Sequence, residues 1–361
     1  MRVAQLTYSY WPITGGADVY AELLRRTLAA PEVEQTLYQR FVEDAPGEVR
    51  CFPSWSRHPR RFEYWSCALA ARFLGPELRR YDRVIVHYPA YFPAVAHHPG
   101  AVCLSHGIDW DDAPGTARSR LKARFAHRAF AQSPVYVAND THFLREMGLD
   151  IQPATREFEE VVPGRWYVPN CVDCEHFTPG PALAELAGQE WLLLPRNLYR
   201  NRGIHLAIAA FKLIAQRYPG LRLLVAGSPG QPAYLAEVMN QVRSLGLTGR
   251  VCFMGGVPAD QIVDYYRSSL LTLIPSLCGE GTSLAALESM ATGCPVVATK
   301  IAGLRDLPCL LSEPLAESLA ASIEQALDDR NTFAQVQRQA VLERFNLPRW
   351  QIGRASCRER V

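Results

Sequence analysis

Long apolar runs and a strong net charge are both missing from this chain of 361 residues. No segment approaches the roughly 18 consecutive apolar residues that a membrane-spanning helix needs. The N-terminal stretch MRVAQLTYSYW has neither the charged head nor the long apolar stretch of a signal peptide. The formal net charge is only +2, so charge gives no reason to expect a nucleic-acid partner. We therefore expect a protein that is cytoplasmic, or peripheral on the inner face of the cytoplasmic membrane.

Two sequence signatures with known chemistry are also absent. No G-x-G-x-x-G follows the apolar runs at 2–7 and 221–226, which argues against a nicotinamide-dependent Rossmann oxidoreductase. Cys171 and Cys174 form a C-x-x-C, but no second pair with metal-site spacing accompanies it. The ten cysteines are scattered, and several lie in runs typical of buried strands or helices. Buried reduced thiols explain them best, with a redox or zinc role for the C-x-x-C as the alternative.

Short apolar strands alternate with helical segments through both halves of the chain, which is 48% hydrophobic and 20% charged. This alternation predicts an α/β fold with two Rossmann-like, doubly wound parallel-sheet domains. The stretch TPGPALAELAGQ contains two prolines, two glycines and no strand pattern, so it predicts the boundary. We expect an N-terminal domain at 1–178, a linker at 179–189 and a C-terminal domain at 190–350. The stretch 151–165 is expected to be irregular.

The last eleven residues, QIGRASCRERV at 351–361, differ in character from the rest of the chain. They read like the translation of a sequencing adapter joined to a gene fragment. We therefore expect a non-native tail, and a native chain that continues past Trp350.

The segment LTLIPSLCGEGTSLAALESMATGCPVVAT at 271–299 combines a strand, a turn, a helix and a second strand. Ser283 in the N-cap position and Gly293 at the stop predict the limits of the helix. Open α/β sheets bind ligands beyond the carboxyl ends of their strands, and here that edge carries Glu280, Glu288 and free backbone N–H groups. This layout suits a ligand with hydroxyls and phosphate, although two solvated surface glutamates would give the same spacing.

The same segment resembles the Glu-x7-Glu signature of retaining GT-B glycosyltransferases, in particular the large family 4 of bacterial mannosyl-, glucosyl- and N-acetylglucosaminyltransferases. The resemblance covers most of the chain in the expected order. Its other parts are TGGAD at 14–18, SHGID at 105–109, VPNCVDCEHFTP at 168–179, PRNLYRNRGIHLAIAAF at 195–211, LRLLVAGSPG at 221–230 and the run at 251–276. It implies a GT-B fold whose two domains face each other across a cleft, with the donor on the C-terminal side and the acceptor on the N-terminal side.

The resemblance also implies an activity and roles for the two glutamates. The activity is transfer of a sugar from a nucleotide-diphosphate sugar, such as a UDP- or GDP-sugar, to an acceptor with retention of anomeric configuration. No cofactor is expected. Glu288 is expected to bind the ribose, and Glu280 to contact the donor sugar. The backbone that holds sugar hydroxyls or phosphate oxygens is expected at Gly281, Thr282, Ser283 and Leu284.

Arginines supply the positive charge that the departing nucleotide diphosphate requires. By the resemblance Arg196 and Arg202 neutralise the diphosphate, Arg202 standing where the family has lysine. Arg200 is an alternative source of the second cation, because arginine and lysine can both serve phosphate. Solvated arginines at a helix start would give the same pattern.

Three residues of the N-terminal half join the expected site. His106 follows a strand and precedes Gly107, and the resemblance implies that it contacts the donor sugar near the reacting carbon. A lone histidine is more often structural. Gly15 and Gly16 are expected to let the first loop approach the diphosphate and the acceptor, and a tight strand-to-helix turn explains them equally well.

Asp109-Trp110-Asp111 spells the D-x-D string that binds metal in the other major glycosyltransferase fold. Here the string follows the histidine loop, whereas that fold places it after a nucleotide-binding strand. GT-B enzymes generally use fixed cations in place of a metal, so we expect no metal site.

The acceptor is expected to be a glycan, a lipid-linked saccharide or a small molecule, and the process cell-surface polysaccharide or glycoconjugate synthesis. The segment from Arg118 to Arg128 is a basic helix which, together with Arg57, Arg60 and Arg61, suits contact with an anionic membrane and a lipid-linked acceptor. A solvated helix face explains the same pattern. The alternative to an enzyme is a non-catalytic GT-B relative that binds a sugar or a partner protein.

Overall fold

The first strand is Arg2–Leu6 (β1), which lies inside a parallel sheet. Four of its five residues are buried, as is typical of a strand covered on both faces. The computed structural model describes residues 1–13, 15–53, 60–152 and 158–350, with only the backbone for 60–63. The chain divides into two compact units, the first of which contains 1–152 and 158–169 and the second 170–350.

The first unit is built on an eight-stranded sheet in the order β3-β2-β1-β4-β5-β6-β8-β7. Its strands are parallel, except that β7 and β8 pair antiparallel. The remaining strands are Glu34–Gln39 (β2), Val49–Cys51 (β3), Arg83–Val86 (β4), Ala101–Ser105 (β5), Val135–Ala138 (β6), Glu159–Val162 (β7) and Arg165–Tyr167 (β8). The helices are Gly16–Thr27 (α1), Arg60–Phe73 (α2), Gly75–Leu78 (α3), Ala117–Gln132 (α4) and Thr141–Glu146 (α5), with a 3-10 helix at Pro89–Ala94.

The second unit contains a six-stranded sheet in the order β11-β10-β9-β12-β13-β14, parallel throughout. Its strands are Glu190–Leu194 (β9), Leu221–Ala226 (β10), Val251–Gly255 (β11), Leu271–Ile274 (β12), Val296–Thr299 (β13) and Leu310–Ser312 (β14). The helices are Ile204–Ile214 (α6), Pro232–Ser244 (α7), Ile262–Arg267 (α8), Leu284–Ala291 (α9), Ala316–Asp328 (α10) and Arg330–Arg344 (α11). Two 3-10 helices lie at Arg200–Arg202 and Ala302–Asp306.

Both sheets have the strand order of the Rossmann fold, so the prediction of two doubly wound domains is confirmed. In each sheet the order reverses beside the central strand, between β1 and β4 in the first and between β9 and β12 in the second. Ligands of doubly wound folds bind outside the carboxyl ends of the strands at such a point. The residues that follow these four strands therefore lie where a ligand of such a fold binds.

The described structure differs from the sequence prediction at two places. Residues 170–178 pack in the second unit, because Val172 forms an isolated bridge with Asn346, whereas the sequence placed the boundary at 179–189. The stretch 151–165 is not wholly irregular, since it contains β7 and a turn at Gly164, whose φ of +72° suits glycine. Residues 351–361, the predicted tail, lie outside the described residues. In the part of the chain that the structure describes, no helix is long and apolar enough to cross a membrane.

Candidate functional site

Two arginines converge on one buried carboxylate at the switch point of the second sheet. Arg196 follows β9, Glu280 follows the neighbouring strand β12, and both side chains are less than 10% exposed. Arg196 and Arg202 each donate from a guanidinium nitrogen to Oε2 of Glu280. Ser276 also donates its hydroxyl to Oε2 at 2.8 Å and accepts a bond from Arg196 at 2.7 Å. Three sequence-predicted residues therefore share one site, which Ser276 completes.

The charges in this cluster keep Glu280 ionised. Burial alone would raise the pKa of its carboxyl, but the positive charges of Arg196 and Arg202 and the hydrogen bond from Ser276 outweigh it, so the pKa is lowered. Two cations around one anion leave the cluster with an excess positive charge. Such an excess suits a ligand that brings negative charge of its own, such as a diphosphate.

Two polar atoms of this cluster, one on Glu280 and one on Arg196, make no hydrogen bond to a described residue. All three bonds to Glu280 end on Oε2, and no described group donates to Oε1. Nε of Arg196 is buried and also lacks a partner in the described part of the chain. Because an unpaired buried donor is costly, this nitrogen indicates a place where a ligand or water completes the network.

The N-terminus of α9 lies beside Glu280 and is not closed by a side chain. Ser283 occupies the predicted N-cap position, but its hydroxyl makes no capping bond, and its Oγ is buried without a partner among the described residues. The first-turn N–H groups, which begin at Leu284, therefore remain available to an anion. Gly281 lies in the buried loop that leads into this turn.

Thr282 has a structural contact that the sequence did not indicate. Its Oγ1 accepts a bond from the backbone N–H of Asn170 at 2.8 Å, and its carbonyl accepts one from the Asn170 side-chain amide. Thr282 is 1% exposed. The loop before α9 is thus held by the first residue of the second unit.

Glu288 is the fifth of the eight residues of α9 and is partly buried. Tyr266 of α8 donates its hydroxyl to Oε2 of Glu288 at 2.9 Å. Burial raises the pKa of Glu288 to about 7, and the bond from Tyr266 partly opposes this rise. A carboxyl whose pKa is shifted this far is typical of a functional site, in contrast to a solvated surface glutamate.

Arg200 is separate from the cluster at Glu280. Its guanidinium pairs with Glu237 and lies over the ring of Tyr234, 5.3 Å from the centroid, and the side chain is 58% exposed. Arg202 instead donates to Glu280. The next residue, Gly203, has a φ of +70°, and an added Cβ there would lie 1.8 Å from the carbonyl oxygen of Pro275. The geometry therefore places Arg202, rather than Arg200, beside Arg196.

Gly15 and Gly16 lie at the start of α1, directly after the loop that follows β1. Gly15 is the N-cap and Gly16 the first helical residue. The N–H of Gly15 donates to Oδ2 of Asp18 at 3.0 Å, and Ser9 donates to Oδ1 of the same buried carboxylate at 2.6 Å. A carboxylate already closes this helix start, which distinguishes it from the open N-terminus of α9.

His106 follows β5 and is bonded to a second histidine. Its Nε2 lies 3.2 Å from Nδ1 of His87, and Nε2 of His87 lies 3.0 Å from Oε1 of Gln5. Burial lowers the pKa of His106 to about 4, so the ring is neutral at pH 7. His106 is partly exposed, whereas His87 is 1% exposed.

The two other sequence features of the first unit have ordinary structural contacts. Asp109, the first residue of the D-x-D string, pairs with Lys122 of α4 at 3.0 Å. On α4 the rings of Phe125 and Phe130 pack against Trp65 and Tyr136, so Leu121, 43% exposed, is the apolar side chain left at the surface of the basic stretch. Arg57 and the side chains of Arg60 and Arg61 lie outside the described residues.

Four residues near these sites were not predicted from the sequence. Ser276 lies two residues after β12 and was visible in the sequence, but serine is common in loops. Tyr266 comes from α8, and its contact with Glu288 depends on how two helices pack. Gln5 and His87 are polar residues at the switch point of the first sheet, and a polar residue within or directly after a buried strand is the signal that could have found them.

Comparison with known proteins places these features in a family. The sequence model of the family described as "Glycosyl transferases group 1" matches residues 183–341. The D-inositol 3-phosphate glycosyltransferase of Corynebacterium efficiens is 34% identical over 353 residues, which cover 84% of this chain and 80% of that protein. The chain therefore belongs to the group 1 glycosyl transferases. A protein of the same name from Corynebacterium urealyticum is 33% identical over 149 residues, 37% of this chain and only 34% of its own length.

Solved structures show the same fold. The sucrose-phosphate synthase of Thermosynechococcus elongatus has a TM-score of 0.81 at 18% identity and covers 99% of this chain and 98% of its own. Anabaena HepE in complex with UDP-glucose has a TM-score of 0.74 at 19% identity, with 100% of both chains covered. These likenesses, together with the two sheets, establish the GT-B fold that the sequence predicted.

Proposed function

We propose that this protein transfers a sugar from a nucleotide-diphosphate sugar to an acceptor hydroxyl with retention of anomeric configuration. The observation that carries the proposal is the cluster of Arg196, Arg202 and Glu280 beside the open N-terminus of α9. The cations and the helix N–H groups suit the diphosphate, and the unused Oε1 of Glu280 suits a hydroxyl of the sugar. Glu288, with Tyr266 behind it, suits the ribose.

Retention requires that the acceptor oxygen approach the anomeric carbon from the face that the leaving group occupies. In the proposed step the bond between the anomeric carbon and the diphosphate oxygen breaks while the acceptor oxygen forms the new bond. The acceptor proton passes to the departing diphosphate oxygen. Arg196 and Arg202 stabilise the charge that develops on that diphosphate, which is the largest electrostatic change in the reaction.

The donor in this proposal is a UDP- or GDP-sugar, and no metal takes part. UDP-glucose is bound in the related Anabaena structure, which supports a uridine nucleotide as the first donor to test. A glycan, a lipid-linked saccharide or a small molecule is the proposed acceptor, in cell-surface polysaccharide or glycoconjugate synthesis. The proposed location is the cytoplasm, with peripheral contact at an anionic membrane.

A donor panel tests the activity. The protein is incubated with UDP- and GDP-sugars, and release of the nucleoside diphosphate is followed with and without saccharide acceptors. Glu288→Ala is expected to abolish the signal, whereas Glu324→Ala, a surface glutamate paired with Arg217 at 3.0 Å, is expected to leave it unchanged. No turnover of any donor would favour the alternative, a sugar- or partner-binding relative without catalysis.

The stereochemistry has its own measurement. Proton NMR of the first product formed distinguishes the two anomers before they equilibrate. A product with the anomeric configuration of the donor is expected, and an inverted centre would reject the proposed front-face step.

A further inference from the structure

A chain of three polar side chains runs through the switch point of the first sheet and ends at His106. Gln5 lies on β1, His87 directly follows the adjacent strand β4, and His106 directly follows β5. Gln5 and His87 are each 1% exposed, so the chain begins in the core and reaches partly exposed surface only at His106. Buried polar groups are costly unless they bond to one another, which suggests that this arrangement has a use beyond packing.

The two imidazole rings are held in one plane. Their planes differ by 15°, and Nδ1 of His87 lies 3.2 Å from Nε2 of His106, the geometry in which an N–H on one ring points along the lone pair of the other. Tyr20 of α1 packs edge-on against both rings, with centroids 4.8 Å from His106 and 6.1 Å from His87. Tyr20 is 3% exposed, so these contacts restrict rotation of the His106 ring.

The order of donors and acceptors along the chain determines where the protons lie. In this structure the Gln5 amide is oriented with Oε1 toward His87 and with its nitrogen buried without a partner among the described residues. In that orientation Oε1 can only accept, so Nε2 of His87 carries the proton and donates it. Nδ1 of a neutral His87 is then bare and accepts from His106, whose Nε2 must carry the proton. Nδ1 of His106 is left as a bare lone pair, and no described residue donates to it.

We propose that Gln5 and His87 are positioning residues that hold His106 in its Nε2–H tautomer, so that Nδ1 accepts a hydrogen bond from a sugar hydroxyl of the donor or the acceptor. This inference rests on the proposed function, since it gives His106 a partner in the glycosyl transfer. It assigns roles to two residues that lie in none of the sequence motifs. His87 itself touches no substrate in this arrangement.

The electrostatics of the pocket agree with this assignment. Burial lowers the pKa of His106 to about 4 and that of His87 well below its ordinary value, where the neighbouring His106 contributes as well. The other titratable side chains against the rings are Tyr20 and Tyr88, and burial raises the pKa of Tyr88. Both imidazoles are therefore neutral near pH 7, and only a neutral His106 can offer a bare nitrogen.

Nitrogen NMR tests the tautomer directly and independently of any activity. The full chain is labelled with ¹⁵N-histidine, and the signals of His106 and His87 among the nine histidines are assigned by loss in His106→Gln and His87→Gln. His106 is expected to show a protonated Nε2 and a bare Nδ1 from pH 6 to pH 8. A proton on Nδ1 of His106 would overturn the proposal, because it requires the opposite orientation of the Gln5 amide.

Kinetics test whether the positioning matters. Glutamine at position 87 can both accept from His106 and donate to Gln5, whereas leucine can do neither. His87→Leu is expected to lower kcat about ten- to hundredfold, in the range seen when an orienting partner is removed, and His87→Gln to recover most of the loss. The Kd for UDP, which lacks the sugar to be transferred, is expected to stay unchanged in both variants, and this separates loss of positioning from loss of folding.

Failure of the positioning role can be told apart from failure of the proposed function. A kcat for His87→Leu equal to that of the unsubstituted protein would overturn the positioning role. A Kd for UDP that weakens in parallel with kcat would also overturn it, since the histidine would then be purely structural. If the unsubstituted protein turns over no donor, the proposed function fails, and the nitrogen spectra still decide the tautomer.

Discussion

Tyr266 donates its hydroxyl to Oε2 of Glu288 across 2.9 Å, from a position on α8 that is 1% exposed. Burial raises the pKa of Glu288 to about 7, and the tyrosine is the contact that opposes this rise. The carboxyl proposed to bind the ribose is therefore only about half ionised near neutral pH. We therefore expect both donor binding and stability to depend on pH.

The affinity for UDP-glucose is expected to increase as the pH rises, because an ionised carboxylate accepts hydroxyl bonds more strongly. With a pKa of about 7, the affinity at pH 6 should be up to about tenfold weaker than at pH 8. Glu288→Gln should bind weakly at every pH, and Tyr266→Phe should move the transition to higher pH. Calorimetric titrations at three pH values measure this, and a flat profile for the unsubstituted protein would contradict it.

The same shift has a consequence for folding. The folded-state pKa of Glu288, about 7, exceeds the ordinary value of 4.5, so its contribution to stability is complete below pH 4.5 and is lost as the pH rises through 7. Glu288→Gln avoids this loss and should gain about 1–3 kcal/mol relative to the unsubstituted protein at pH 8, but not at pH 4.5. The thermal midpoints of Glu288→Gln and of the unsubstituted protein are compared at each of the two pH values. The same gap between the two proteins at pH 4.5 and at pH 8 would contradict the assignment.

Arg202→Ala is expected to lower kcat/KM about 10²- to 10³-fold, the usual loss when one donor to a developing anion is removed. Arg202→Lys should lose less, since lysine keeps a charge for the phosphate. Arg200→Ala should fall well short of the Arg202→Ala loss, because Arg200 pairs with Glu237. Arg217→Ala, an exposed arginine paired with Glu324, controls for general loss of charge. If Arg200→Ala were the more damaging, the second cation would be Arg200.

Gly203→Ala is expected to destabilise the second unit by about 2 kcal/mol or more. Its positive φ disfavours any residue with a Cβ, and the added Cβ would also clash with a neighbouring backbone atom. The φ of Gly203 is +70°, and the new Cβ would lie 1.8 Å from the Pro275 oxygen. Gly246 is a matched control, with a φ of +67° and nothing within 4 Å of an added Cβ. Gly246→Ala should show the cost of the dihedral alone. Equal losses in thermal midpoint would show that the contact with Pro275 does not matter.

Turnover of the donor is expected to survive removal of divalent metal. Arg196 and Arg202 are proposed to supply the positive charge for the diphosphate, and Asp109 of the D-x-D string is paired with Lys122. Nucleotide release should be the same after dialysis against EDTA as before it. Loss on chelation, followed by recovery with Mg²⁺ or Mn²⁺, would contradict this prediction.

Contact with an anionic membrane predicts sedimentation with vesicles containing phosphatidylglycerol at low salt, and release as the ionic strength rises. The basic face of α4 carries Arg120, Arg124 and Arg128 at the surface, together with the exposed Leu121. Substituting the three arginines by glutamine should abolish sedimentation. No sedimentation of the unsubstituted chain at low salt would remove the membrane proposal and leave a solvated helix face.

The sequence was informative wherever a local pattern determines structure. Continuous apolar runs predicted β6, β9 and β12 to within a residue, because a strand that is buried on both faces is apolar at nearly every position. Gly293, with a φ of +82°, lies just past the last residues of α9, as predicted. The convergence of Arg196 and Glu280 was also foreseeable in outline, because the carboxyl ends of adjacent parallel strands meet at one edge.

Other features depend on packing that no local pattern encodes. Arg202, directly before the left-handed turn at Gly203, donates to Glu280, whereas Arg200 pairs with Glu237 on a different helix. Strand β7 was missed because its pairing with β8 is antiparallel at the edge of a parallel sheet. The contacts of His87 could not be predicted, because Gln5 lies on β1 and His106 directly follows β5.

Asn170 opens the second unit and holds Thr282 through two hydrogen bonds, one of them 2.8 Å long. The loop before α9 is therefore tied directly to Asn170, 112 residues earlier in the sequence. The same loop carries Gly281 and Ser283, which are proposed to hold the donor. A substitution at Thr282 would therefore change both the anchoring of Asn170 and the backbone that is proposed to hold the donor.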